Sequence, residues 1–248
     1  MPNPTEYSPS GQPIYRYESR EEQEWTPPAY GQEGWSEKIE EHFQKHIGPI
    51  ESVFHEVISD TIHIDVHFIK PTAERDYQVL FTTGMSYLPM STPEGLEEHD
   101  YAELMICLPS SWPLSQEAIQ DENHYWPIRW LKMLARLPHE YHSWLGPGHT
   151  VPNGDPADPF ASQTKLSGVM LMPPTIADPE FSTLKMDSGE TVRFYSVLPL
   201  YTEEMNYKLR HGAEALIDKL EKTAFTEVVD IDRKNAVKSS LLSFWKRR

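Results

Sequence analysis

An α+β fold is predicted by three observations. Helical periods recur near the start, in the middle and near the end of the chain, and short β-prone runs fill the spans between them. The 248 residues, 38% of them hydrophobic and 11% aromatic, supply enough apolar surface for a sizeable core.

Residues 1–33 are rich in proline, glutamate, serine and tyrosine without sustained periodicity, which leaves little apolar area to offset the entropy of ordering. They predict an extended or disordered arm whose Tyr7, Tyr15, Tyr17, Trp25 and Tyr30 could strap across the domain or contact a partner. A helix follows, with Ser36 as its N-cap, Ile39, Phe43 and Ile47 as its buried stripe, and Gly48-Pro49 as its stop.

Four strands are expected over residues 53–58, 62–69, 77–83 and 101–108. The second reads HIDVHFI, placing His63, Asp65 and His67 on one face and Ile62, Ile64, Val66 and Phe68 on the other. In the fourth, Ala102, Leu104, Ile106 and Leu108 share a face, and Glu103 interrupts the apolar character of the opposite one. The connection GMSYLPMSTPEGLEEHD between the third and fourth is long, and such connections are often functional.

A short helix is expected over 115–120 and a stronger one from Trp126 to Leu137, with Pro127 in its first turn and Pro138 ending or bending it. The stretch HEYHSWLGPGHTVPNGDPADPF has the composition of a loop. The runs SGVMLMP and TVRFYSVLPL are further strands, with a turn at DSG, residues 187–189. One long amphipathic helix then opens at Thr202, carrying Met205, Leu209, Ala213, Leu216 and Leu220 inward. Residues 226–248 form a basic tail, which as a helix sets Val237, Leu241 and Phe244 or Trp245 on one face. It is expected either to dock on the acidic body of the protein or to meet a membrane surface or partner.

The formal net charge of -16 argues against general nucleic-acid binding, which needs a concentrated basic surface. It favours solubility and attraction to basic partners. The single cysteine, Cys107, lies in an apolar run, and no basic, continuously apolar leader or spanning segment stands out. The expectation is a soluble, cytoplasmic protein without membrane association.

No catalytic apparatus is visible. HEYH differs from HExxH because its histidines, His139 and His142, are three apart. GxSxG, GxGxxG and GxxxxGK[ST] are absent, and Cys107 has the setting of an inert core thiol. One alternative is a metal-dependent hydrolase using His63, Asp65, His67 and His149, since imidazoles with a carboxylate suit zinc or iron. The plainer reading has these histidines satisfying hydrogen bonds. A second alternative is a regulatory adaptor that binds through its tails.

Five blocks, HIDVHFIKPT, VLFTTGMSYLPM, YAELMICLP, LGPGHTVPNGDP and VLPLYTEEMNYKL, occur in one order over roughly residues 35 to 225. In these the chain resembles bacterial suppressor-of-fused-like domain proteins. The resemblance implies an α+β domain at residues 34–225, a mixed β-sheet flanked by helices, that binds protein, uses no cofactor and is not an enzyme. In the animal member this domain and a second one clamp a strand-like segment of a transcription factor. This chain is too short for both. The peptide-contacting region of that family corresponds to TGMSYL here, which assigns Gly84, Met85, Ser86, Tyr87 and Leu88 to a partner surface, with Tyr87 where the family has an acidic residue. Glu103 matches an acidic strand position that could face a basic partner, and His149 and Asn153 match a histidine-containing loop. For bacterial relatives the resemblance further implies toxin immunity, with a toxin domain as the partner.

Overall fold

The first half of the sheet follows from alternation along the β-prone runs. The computed structural model describes residues 3–17, 34–56 and 62–238. After a two-stranded hairpin of β1 (Glu6–Tyr7) and β2 (Pro13–Ile14) comes α1 (Trp35–His46), followed by β3 (Ile50–Phe54), β4 (Asp65–Ile69), β5 (Tyr77–Thr83) and β6 (Tyr101–Pro109). The last four form an antiparallel meander. Next are α2 (Glu122–Glu140), β7 (Thr150–Pro152), β8 (Leu166–Met172), β9 (Thr183–Lys185) and β10 (Thr191–Tyr201), and finally α3 (Thr202–His211) and α4 (Ala213–Glu221). The order β3-β4-β5-β6-β10-β8-β7, with β9 also on β10, makes one eight-stranded mixed sheet, because β10 runs parallel to β6. This is the α+β architecture, sheet flanked by helices, expected from the sequence.

Both faces of the sheet are covered. Ile62, Ile64, Val66 and Phe68 join Leu80, Leu104, Ile106 and Leu108 against Trp126, Leu131 and Leu134 of α2. The alternate residues Ile69, Val79, Phe81, Met105 and Cys107 pack under Trp35, Ile39 and Phe43 of α1. Phe43 stacks on Phe81 with ring centroids 3.7 Å apart. A fully buried side chain of this kind contributes about 1.5–3 kcal/mol. His67 is therefore not on a solvated face. It is 2% exposed and stacks on Phe81 from the α1 side.

Several element boundaries differ from those the sequence suggests. Helix α1 starts at Trp35 after Gly34, whose φ of 81° sets the turn, and Ser36 instead bonds Glu40 within the helix. The first sheet strand is Ile50–Phe54, earlier than residues 53–58, whose last two lie outside the described residues. Helix α2 begins before Trp126 because the Asp121 side chain accepts the Asn123 N–H and caps it, and it continues through Pro138 to Glu140.

The long C-terminal helix is two helices. Gly212 adopts φ 91° and ψ 166°, a conformation open essentially to glycine alone, and it turns α4 so that Leu216 and Leu220 join Met205 on Met170 and Leu200. In α3 it is Lys208, at 6% exposed, that points inward, while Leu209 is half-buried.

Described parts of both termini lie on the body. Ser10 donates its N–H to the Leu209 carbonyl, Arg16 pairs with Glu6 and Asp155, and Tyr17 stacks on Tyr141 with its hydroxyl 2.6 Å from Ser143 Oγ. Trp25 and Tyr30 of the arm lie outside the described residues. At the other end, Val228 bridges Cys107 in parallel and the Val229 N–H donates to the Cys107 carbonyl at 2.9 Å. Arg233 then forms a two-pronged pair with Glu204, Nη1 to Oε1 at 2.7 Å and Nη2 to Oε2 at 2.5 Å. The tail thus meets an acidic group of the body. Leu241, Phe244 and Trp245 of the expected tail helix lie outside the described residues. No helix among the described residues is long and apolar enough to cross a membrane.

Candidate functional site

The segment after β5 is shaped by one buried carboxylate. Glu103 leaves β6 on the α1 side, where its neighbour across the sheet is Phe194 of β10, and it is 0% exposed. Its Oε1 accepts the Gly84 N–H at 2.9 Å, the Ser86 N–H at 3.0 Å and the Ser86 hydroxyl at 2.6 Å. Its Oε2 accepts the Thr82 hydroxyl at 2.6 Å. These donors curl residues Met85–Tyr87 into a 3-10 turn. Desolvation pushes the Glu103 carboxyl up to about 7, against the opposing pull of the four hydrogen bonds.

Two further contacts fix the turn. Gly84 has φ 120°, and a Cβ there would fall on the His63 carbonyl oxygen, so glycine is required. His139 Nε2 lies 2.8 Å from the Met85 carbonyl and donates to it, anchoring the turn to the end of α2. Beyond the turn the chain is held again, by the Met90 N–H on Asp100 and the Ser91 N–H on Ser143.

The surface expected from Thr83 to Leu88 is consequently narrower. Thr83, Gly84, Met85 and Ser86 are buried, Tyr87 is half-buried, and Leu88, at 37% exposed, reaches solvent with Pro89. Glu103 does not face a partner as expected, because its carboxylate is consumed in holding the turn from beneath. Further along the same connection, Glu94, Glu97 and Glu98 are exposed.

His149 and Asn153 lie elsewhere and shape their own loop. Asn153 donates its side-chain amide to the carbonyls of Asp158 and Pro159 at 2.8 and 3.1 Å. The His149 ring packs edge-on against Trp144 at 4.3 Å, and burial, with Lys208 nearby, pulls it down to about 4.

The four residues of the metal alternative do not come together. Asp65 holds His63 Nε2 at 3.1 Å on one oxygen and His55 Nδ1 at 3.0 Å on the other. His67 instead meets Thr83 Oγ1 at 2.8 Å, and burial pulls it down to about 4. Among the described residues no group of three or more His, Cys, Asp or Glu side chains is arranged to hold a metal ion. His55 and Thr82 were not singled out by the sequence, and His139 was weighed only as part of HEYH. Thr82 alone carried a local signal, as the polar residue preceding the TGMSYL turn.

Comparison with known proteins accords with this geometry. No curated protein matches the chain. A suppressor-of-fused homolog from Neisseria gonorrhoeae FA 1090 shares the fold at a TM-score of 0.60 and 21% identity, over 83% of this chain and 98% of that one. A chain in the crystal structure of the Sufu-Fu complex shares it at a TM-score of 0.55 and 13% identity, over 85% of this chain and 93% of that one. The family described as suppressor of fused protein (SUFU) matches residues 60–234, well over half of the chain and reaching into the tail that Arg233 pins. The chain belongs to the suppressor of fused family.

Proposed function

We propose that this chain is a non-enzymatic protein-binding domain that neutralises a basic toxin domain, as an immunity protein does. The observation that carries the reading is the turn held by Glu103. An inward carboxylate fixes the backbone so that Leu88 and Pro89 stand toward solvent in the same connection that carries exposed Glu94, Glu97 and Glu98. A surface whose backbone is already fixed loses less entropy on binding. An apolar tip with an acidic rim suits a basic partner, and the net charge of -16 would accelerate encounter with one.

Two further facts support a binding role. The chain belongs to the suppressor of fused family, and a protein of the same fold is seen in complex with Fu. Among the described residues, the His63, Asp65, His67 and His149 set expected for hydrolysis is dispersed.

The test is calorimetric titration with basic toxin domains, above all nucleases, encoded beside this chain. Binding is expected, and Leu88→Glu should weaken it at least about tenfold, because a hot-spot apolar contact is worth about 1–2 kcal/mol or more. Reversing Glu94, Glu97 and Glu98 to lysine should slow association. Unchanged affinity in both variants would remove the proposed surface, and failure of every such domain to bind would remove the toxin reading.

A further inference from the structure

Lys208 is the one buried charge among the described residues that lacks compensation in kind. Glu204 has Arg233, and Glu103 has four hydrogen-bond donors. Lys208 is 6% exposed, and its ammonium has one bond, to Thr150 Oγ1 at a long 3.3 Å. Among the described residues no carboxylate pairs with it. An ammonium carries three donors, and burying it without acceptors costs several kcal/mol.

The groups around Lys208 add positive rather than negative capacity. His149, next to Thr150 in the chain, is pushed toward its neutral form mainly by burial and further by the Lys208 charge and by His99, against its bond to the Trp144 backbone. Burial alone pulls Lys208 down to about 8, with no acidic neighbour opposing the shift. The arrangement also has a way in. Thr150 opens the terminal strand β7, whose register on β8 is Thr150 to Met170, and both it and the preceding His149 are partly exposed there. An ammonium short of acceptors, a hydroxyl beside it and an imidazole near enough to feel its charge, though bonded to the Trp144 backbone, are donors that an oxyanion can take.

We propose that Lys208, Thr150 and His149 form a subsite for a small oxyanion, phosphate or carboxylate, on the β7 edge of the sheet. The anion supplies the missing counter-charge. Lys208 then keeps its proton to higher pH, Thr150 donates its hydroxyl to the anion, and the imidazole gains a proton-accepting neighbour. The site is separate from the Tyr87–Leu88 surface and does not depend on the toxin reading.

The test uses the full chain with ¹³C-labelled lysine and histidine, titrated with phosphate and separately with acetate while chloride holds the ionic strength constant. Saturable shifts of the Lys208 Cε and His149 ring signals, with a rise in Tm, are expected for at least one of the two. Saturation by phosphate alone assigns a phosphoryl ligand, and by acetate alone a carboxylate. Lys208→Met should abolish the His149 shift and the rise in Tm while raising stability in anion-free buffer, and Thr150→Val should raise the half-saturation concentration about tenfold, as loss of a charge-assisted hydrogen bond does. Wild-type signals that drift without saturating with both anions would overturn the site. So would responses that persist unchanged in Lys208→Met.

Discussion

Glu103 makes a clear case of a charge whose position decides its role. Replacing it by alanine strands the Gly84 and Ser86 N–H groups and the Ser86 hydroxyl in a dry site. The expected loss is at least about 3 kcal/mol in urea unfolding, with the 85–87 turn released. Its titration also has a definite sign. The carboxyl moves from 4.5 up to about 7, so the folded chain keeps a proton that the unfolded chain releases, and Glu103's contribution falls as pH rises across that window. His67 and His149 move the other way, from 6.5 to about 4. The unfolded chain takes up protons first below 6.5, so their stability is present above that value and is lost as pH falls toward 4. Where the windows overlap, two histidines oppose one glutamate, and net stability should rise with pH. Glu103→Gln should steepen that rise by removing the opposing group, which urea midpoints measured every half pH unit will check. A flatter slope would contradict the assignment. The sequence showed that this acid was out of place in an apolar strand. It could not show on which side the acid's partners lay, because three of its four donors belong to the turn seventeen to nineteen residues upstream.

At the scale of elements, strand runs were legible because alternation is local. The meander, the 187–189 turn and the strand at 191–201 all follow from short-range pattern. Boundaries set by one residue were less so. Asp121 lengthens α2 and Gly212 divides the last helix, and each decision rests on a single cap or a single φ angle. Gly212→Ala tests the division, because a Cβ is strained at φ 91°, and a loss of about 1–3 kcal/mol is expected in thermal unfolding. The Glu204–Arg233 pair was also illegible, since its members are far apart in sequence and one lies in a segment with the composition of a free tail. Glu204 is 0% exposed and additionally accepts the N–H groups of Tyr201 and Ala236. Arg233→Ala leaves that carboxylate buried without its cation, a change worth about 3–5 kcal/mol. Limited proteolysis should then cut within residues 226–238 while wild type resists. Equal protection of both would mean that the tail is held by other contacts.

For the molecule as a whole, the sheet has helices on both faces but needs the tail to finish one row. β10 lies beside β6 only as far as Ser196 against Met105, after which it pairs with β8. The far half of β6 is left with an open flank at Cys107, and Val228 and Val229 occupy it. Val229 is 3% exposed there, and Arg233 closes the same segment onto α3. The boundary at residue 225 that the resemblance implies therefore cuts through the packed body. The N-terminal hairpin differs, since Ser8 is its only buried residue and its ties to the body are the Arg16–Asp155 ion pair, a backbone bond, the Tyr17–Ser143 hydrogen bond and one aromatic stack. Exposed pairs of that kind contribute about 0–1 kcal/mol each, and an isolated two-stranded hairpin is marginal. Two truncations should consequently behave in opposite ways. Removing residues 1–17 should lower stability by no more than about 2 kcal/mol and leave a sharp urea transition. Ending the chain at 225 should expose the Cys107 edge, leave Glu204 uncompensated and cost more than about 5 kcal/mol, enough to unfold a domain of ordinary stability. Ending it at 238 should restore the wild-type midpoint, because Val228, Val229, Arg233 and Ala236, which make these contacts, all lie before that residue. If the chain ending at 225 unfolded as cooperatively and as late as wild type, Val229 and Arg233 would be surface decoration, and the sheet would be complete without them.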